Sequence, residues 1–287
     1  MRPEMVVDEP CQTGESPLWH PDEKRLYWTD IPRGRLFRLD PVSGRHELCL
    51  EGDPIGGLTL QADGALLLLM ADGAVRTWRD GRLETLLDAH PDIRGNRYND
   101  CIADSRGRVF CGVLSTPERA GRLYRLDTDL TLTVVDEGLG TSNGMGFTPD
   151  RTRLYHADSN DRFRHIRVFD YDEATGELTN PRRFLAARPG DGKPDGLTVD
   201  AEGFVWSARW NGGLLIRHAP DGTEDRRIEF PVPKVSSVAF GGDDLADIYV
   251  TTAGGDDRAG EGAQAGALFR LNLGIRGVPE FRSRIGL

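Results

Sequence analysis

The chain of 287 residues is poor in several of the things that would announce a function. It has only four cysteines, Cys11, Cys49, Cys101 and Cys111, without C-x-x-C spacing. That number is too small for a disulfide framework, so buried, reduced thiols and a cytoplasmic home are expected. Its longest apolar run, Ala65 to Met70, is far too short to span a bilayer, which excludes a membrane partnership through helices. The first dozen residues carry Arg2, Glu4, Asp8 and Glu9 and no apolar core, and so do not resemble a secretory signal. Basic residues are in deficit, with a formal net charge of −10, and a nucleic-acid partner would need the opposite balance. Six histidines are scattered without H-E-x-x-H or H-x-H spacing. A nucleophile elbow, G-x-S-x-G, is absent, and G-D-G-K from Gly190 lacks the spacing of a phosphate-binding loop. Long stretches with the apolar spacing of a helix are few.

Glycine, in contrast, is abundant at 35 residues, and D-G, P-D and G-G pairs cut the chain into short segments typical of all-β proteins. Those segments repeat. Six times a short apolar strand, a polar turn and a second apolar strand follow one another. The copies are SPLWHPDEKRLYWTD from Ser16, GGLTLQADGALLLLM from Gly56, NDCIADSRGRVFCGV from Asn99, NGMGFTPDRTRLYHAD from Asn143, DGLTVDAEGFVWSAR from Asp195 and SSVAFGGDDLADIYVTT from Ser236. The second strands start at Leu26, Ala65, Val109, Leu154, Phe204 and Ile248, spaced 39 to 50 residues apart. Third strands follow from Arg35, Ala74, Arg122, Arg167, Leu214 and Ala267.

Such a period, with several strands in each copy, predicts a six-bladed β-propeller: four-stranded antiparallel blades around a central channel, filling residues 1–287 as one domain. Inner strands are expected to begin near Ser16, Gly57, Asp100, Gly144, Gly196 and Ser237. Fourth strands are expected at ELCLE, LETLLD, LTVVDE, RRFLAA and DRRIEF. For the last blade, EMVVDE near the N-terminus and EFRSR near the C-terminus are equal candidates. Cys101 and Cys111 fall on adjacent strands, and Trp28, Trp78 and Trp206 read as core. His156, beside Tyr155, reads as packing.

In a propeller the leading residues of the inner strands converge at one mouth of the channel. In four copies those residues are Glu15, Asn99, Asn143 and Asp195; the second copy offers Gly56 and Gly57, and the sixth Ser236 and Ser237. Two carboxylates and two carboxamides converging there form an oxygen-rich cage that suits a hard cation. Asn and Asp ahead of Gly also occur as turn residues held by local hydrogen bonds. Their common register across separate blades favours the cage. Trp210, in W-N-G-G beside the Asp195 segment, is placed to line the pocket.

These segments also carry a resemblance to the gluconolactonase, regucalcin and senescence-marker-protein family. GESPLWHPDEKRLYWTDI from Gly14 resembles that family's opening segment, R-Y-N-D from Arg97 its substrate-contact motif, and S-N-G from Ser142 and P-D-G-L from Pro194 two metal segments. The resemblance spans essentially the whole chain. It implies a metal-dependent hydrolase of sugar lactones, with one divalent cation (Ca²⁺, Zn²⁺, Mn²⁺, Mg²⁺ or Fe²⁺) held by Glu15, Asn143 and Asp195. Arg97 and Asn99 match positions that hold substrate hydroxyls. Two departures concern the substrate: Gly112 is followed by Val113 and Leu114 where the family has G-T-M, and the short stretch from Ser115 to Gly121 offers only Glu118 for a family acidic residue. Within that implied chemistry Asp195 is the candidate assisting base, since a carboxylate can serve both cation and water. An organophosphate-type phosphotriester hydrolase and a non-catalytic calcium-binding propeller are the alternatives.

Overall fold

The structure, a computed structural model, describes residues 2–159 and 164–287. Six four-stranded antiparallel sheets are arranged as blades around a channel. After β1 (Glu4–Val7), the first blade comprises β2 (Gly14–His20), β3 (Arg25–Asp30), β4 (Arg35–Leu39) and β5 (His46–Glu51). The second comprises β6 (Ile55–Leu60), β7 (Leu66–Met70), β8 (Val75–Arg79) and β9 (Arg82–Leu87). The third comprises β10 (Tyr98–Ala103), β11 (Val109–Val113), β12 (Gly121–Leu126) and β13 (Leu132–Leu139). The fourth comprises β14 (Ser142–Phe147), β15 (Arg153–Asp158), β16 (His165–Tyr171) and β17 (Leu178–Ala186). The fifth comprises β18 (Lys193–Val199), β19 (Val205–Trp210), β20 (Leu214–His218) and β21 (Glu224–Glu229). The sixth comprises β22 (Val235–Gly241), β23 (Asp247–Thr252) and β24 (Leu268–Asn272), with the single turn of α1 (Arg258–Glu261) between the last two.

The sixth blade takes its outer strand from the other end of the chain. Its order is β1-β24-β23-β22, with Met5 opposite Phe269 and Val7 opposite Leu268. Of the two candidates for this place, the N-terminal one fills it. EFRSR does not join the blade; the C-terminal segment runs across the face of the ring opposite the strand starts. There Ala201 N donates to Arg276 O, Ser283 N to Leu60 O and Arg284 N to Gly107 O, each at 2.8 Å. Ile285 is fully buried against the second and third blades.

Alternation drives the stacking. Second and third strands turn one residue in two into each seam between blades, and outer strands put charged residues on the rim, where they blunt the edge. Trp206, Phe230, Phe240 and Phe269 fill the seam between the fifth and sixth blades, with Phe230 and Phe269 edge to face at 5.5 Å. Each such side chain contributes about 1.5–3 kcal/mol by leaving water. Trp28, Trp78 and Trp206 are buried, as expected. His156 packs in the fourth blade, with Nε2 2.8 Å from Ser142 Oγ. Cys101 and Cys111 face each other across β10 and β11, and all four cysteines are free thiols.

One buried histidine makes stability depend on pH. Arg209 Nη2 donates to His218 Nε2 at 3.0 Å inside the fifth blade. Burial first, and the guanidinium second, lower His218 from an ordinary 6.5 to about 4. The unfolded chain therefore binds more protons between these values, so stability is complete above pH 6.5 and is lost as pH falls towards 4. The full loss is about 3 kcal/mol. A plot of melting temperature against pH over this window should fall less steeply for His218→Gln than for the wild type. Parallel slopes would show that His218 is protonated without cost.

Candidate functional site at the channel mouth

Every inner strand breaks its pairing register at the same height. The irregularities lie between Glu15 and Leu18, Ile55 and Gly57, Tyr98 and Cys101, Ser142 and Met145, Pro194 and Leu197, and Val235 and Ser237. A bulge of this kind bends the strand and re-aims a side chain. It also explains why the strands begin at Gly14, Ile55, Tyr98, Ser142, Lys193 and Val235, up to three residues ahead of the expected starts. Pairing resumes above each bulge, where the alternating apolar pattern has already ended.

Local hydrogen bonds fix what leads into each bulge. The Asp30 carboxylate, at the end of β3, accepts from Gln12 N at 3.0 Å and Thr13 N at 2.9 Å, holding the approach to Glu15. Asp158, at the end of β15, does the same for the approach to Asn143, accepting from Gly140 N at 3.1 Å and Thr141 N at 3.0 Å. Asn96 Nδ2 donates to Leu114 O at 2.8 Å ahead of Arg97.

The glycines of N-G and D-G have a different role from the turn reading. A Cβ on Gly144 would lie 2.2 Å from Leu197 N, and one on Gly196 2.2 Å from Ser237 Oγ. Neither residue has a positive φ. They are glycine because neighbouring inner strands approach too closely for a side chain.

All six residues singled out from the sequence, Glu15, Arg97, Asn99, Asn143, Asp195 and Trp210, line one cavity of ≈ 310 Å³. Sequence reasoning missed Lys193, Ser159 and Ile31; Leu114, one of the residues that depart from the family pattern, joins Ile31 in an apolar flank. Glu118 lies elsewhere: it is exposed on its loop, where its N–H donates to Thr116 Oγ1 at 3.3 Å.

The electrostatics of this mouth are unbalanced. Glu15 and Asp195 are 5% and 4% exposed. Burial, and then repulsion from neighbouring carboxylates, pushes both well above the usual carboxylate range. Asn143 Nδ2 donates to Asp195 Oδ1 and, at 3.1 Å, to Ser159 Oγ. Its buried Oδ1 has no donor among the described residues. An orphaned buried acceptor that shares one cavity with two buried carboxylates is costly by itself and becomes favourable around a cation. Among the described residues no three His, Cys, Asp or Glu side chains group closely enough to form a metal cage by themselves. The donor set that fits a cation here is therefore Glu15 and Asp195 with the Asn143 carboxamide, all oxygen.

Arg97 and Lys193 bring positive charge to this mouth. Arg97 Nη1 donates to Tyr98 O and to Asn99 Oδ1, both at 2.9 Å, while Asn99 Nδ2 donates to Ser142 O at 3.1 Å. Burial lowers the Arg97 pKa, against the pull of Glu15 and Asp195. Arg97 and Asn99 thus hold one another in place, and the ammonium of Lys234 sits 5.5 Å from the centre of the Trp210 ring. Asp100, directly after Asn99, is a further buried carboxylate, raised to about 7 mainly by burial. Its signal was present in R-Y-N-D, one residue past the position used to align the blades.

The fold and this mouth define a six-bladed propeller with an acid-lined polar site at one end of its channel. The family model for the SMP-30/gluconolactonase/LRE-like region matches residues 13–254, and the chain belongs to this family. It is 49% identical to the pentonolactonase XacC of Haloferax volcanii, over 98% of each chain. It is 33% identical to the 6-deoxy-6-sulfogluconolactonase of Pseudomonas putida, over 96% of each. Among solved structures it superposes on a regucalcin from Agrobacterium tumefaciens, described as a calcium-binding protein, with a TM-score of 0.90 at 27% identity, covering 99% of this chain and 98% of that one.

Proposed function

We propose that this protein hydrolyses a sugar lactone, of the aldonolactone or gluconolactone type, to the open aldonic acid, using one divalent cation held by Glu15, Asn143 and Asp195. The observation that carries this reading is the buried Asn143 Oδ1, without a donor among the described residues, in one cavity with the buried carboxylates of Glu15 and Asp195, in a chain 49% identical to a named pentonolactonase. A cation bound there supplies Lewis-acid polarisation of a carbonyl and acidifies water. The chain's own residues do the rest. Asp195 accepts the proton of the attacking water as its oxygen bonds to the lactone carbonyl carbon. When the ring C–O bond breaks, that proton returns to the departing ring oxygen as the new hydroxyl. Arg97 and Asn99 orient the sugar hydroxyls, and Arg97 steadies developing negative charge. Trp210 offers a flat apolar face to the ring carbons. The named lactonases among its relatives favour this reading over a phosphotriester hydrolase or a non-catalytic calcium binder. Its four free thiols accord with a reducing, cytoplasmic setting.

The test is a panel of pentono- and hexonolactones offered to metal-stripped protein, with divalent cations then restored singly. Hydrolysis should depend on added cation. Inactivity towards every sugar lactone with every cation would remove the proposal. In the same assay Arg97→Ala should raise KM for polyhydroxylated lactones by about tenfold while sparing an unsubstituted lactone, because the lost contacts are to hydroxyls. Equal slowing of both would place Arg97 in the chemistry or in the support of Asn99.

A further inference from the structure

The residue after each bulge leader looks further down the channel, and three of them, Ser16, Asp100 and Ser237, line a second cavity of ≈ 50 Å³. Its other wall includes Glu280, carried there by the C-terminal segment that crosses the far face. Among the described residues no lysine, arginine or histidine lines this space. Asp100 Oδ1 accepts from Cys101 N at 2.7 Å, and no other hydrogen bond to the Asp100 or Glu280 carboxylates is found among the described residues. Ser16, 9% exposed, has a buried hydroxyl with neither donor nor acceptor among the described residues. The buried Asp100 carboxylate, lining the same space as Glu280 without a countercharge among the described residues, is unfavourable unless a proton or a metal joins the two. An unsatisfied hydroxyl beside them adds a neutral oxygen donor, as hard cations use. The volume is enough for an ion and a few waters, since one water needs about 10–15 Å³.

We infer that the channel holds a second divalent cation of the calcium type, bound between the Asp100 and Glu280 carboxylates with the Ser16 hydroxyl and water completing its shell. Asp100 is buried whereas Glu280 is exposed, so a cation reaches the pair from the Glu280 side. Glu280 also borders two cavities on the far face, of ≈ 270 Å³ and ≈ 240 Å³, which give this site its own way in. The role is structural: the ion ties the C-terminal segment to the inner strand of the third blade. The inference does not depend on the upper site, and the test separates them.

Protein stripped with a chelator is titrated calorimetrically with Ca²⁺ at neutral pH, and melting temperatures are taken with and without millimolar Ca²⁺. Wild type should bind two equivalents, and Glu280→Gln and Asp100→Asn one each. Glu280→Gln, which touches neither proposed ligand nor substrate residue, should keep its cation-dependent activity within about threefold and lose part of the calcium-induced rise in melting temperature. Glu15→Gln should lose the other equivalent. If wild type binds one ion and Glu280→Gln none, the lower site stands and the upper reading fails. Two equivalents in both Glu280→Gln and Asp100→Asn, or one in wild type that survives both substitutions, would overturn the inference in favour of a shared proton.

Discussion

Asp195→Asn, assayed with its cation at saturation, should lower kcat on a sugar lactone by about 10²-fold or more, the scale of a lost general base. The substitution keeps an oxygen donor at the same place and removes one negative charge and the only basic function assigned there. Packing changes little, because the amide is nearly isosteric and the residue is buried between the fourth and fifth blades. The proton donated by Asn143 Nδ2 can still find the new amide oxygen. Metal content must be measured alongside rate, since weaker binding of the cation alone would also silence the enzyme. Glu15→Gln is the control, expected to act chiefly through lost cation affinity, with activity returning as the cation concentration is raised. Should metal-loaded Asp195→Asn turn over at the wild-type rate, the proton goes elsewhere and Asp195 only binds.

Removing residues 1–8 should cost the fold more than any point change considered above. β1 provides the fourth strand of the sixth blade, and Val7, 3% exposed, packs with Trp28, Phe37, Tyr249 and Leu268 in the seam between first and last blades. The truncation strips the edge of β24 and opens that seam to water. Each lost ladder hydrogen bond is worth about 1 kcal/mol and the buried valine about 1.5–3 kcal/mol. Together they predict a fall in melting temperature of about 10 °C or more, or an insoluble protein, because a bared strand edge pairs with other chains. Circular dichroism melts of the truncated and full chains decide this. A shift under about 2 °C would mean that the ring closes adequately through the other three strands of that blade.

How much of this was readable beforehand follows from what repeats. Blade number and the candidate site were both legible because Glu15, Asn99, Asn143 and Asp195 occupy one position of a repeating unit, so linear register translates into convergence in space. The closure was not legible, since EMVVDE and EFRSR are both short alternating segments and only tertiary pairing distinguishes them. Glu280 lies outside the repeat and carries no register to place it. The bulges were also hidden: a break in period-two alternation looks, in one dimension, like the end of a strand. The same effect made the N-G and D-G pairs resemble turns, when Gly144 and Gly196 are small because a neighbouring strand presses on them.

The common height of the six bulges means that the mouth is a dial with six mounting points, not all of which accept a tool. A Cβ at Gly56 would fall 1.8 Å from Tyr98 O, so the second mount is barred to every side chain. The sixth is already spent on structure, with Ser236 Oγ bound to Gly14 O at 2.6 Å. Chemistry is left to an arc of three consecutive blades, the third to the fifth, with Glu15 of the first facing them. A ligand centred over the channel therefore meets polar groups on one flank and bare backbone on the second blade. New specificity on this scaffold has to come from rim positions such as Leu114, Lys193 and Trp210, because the mounts themselves are either committed or closed.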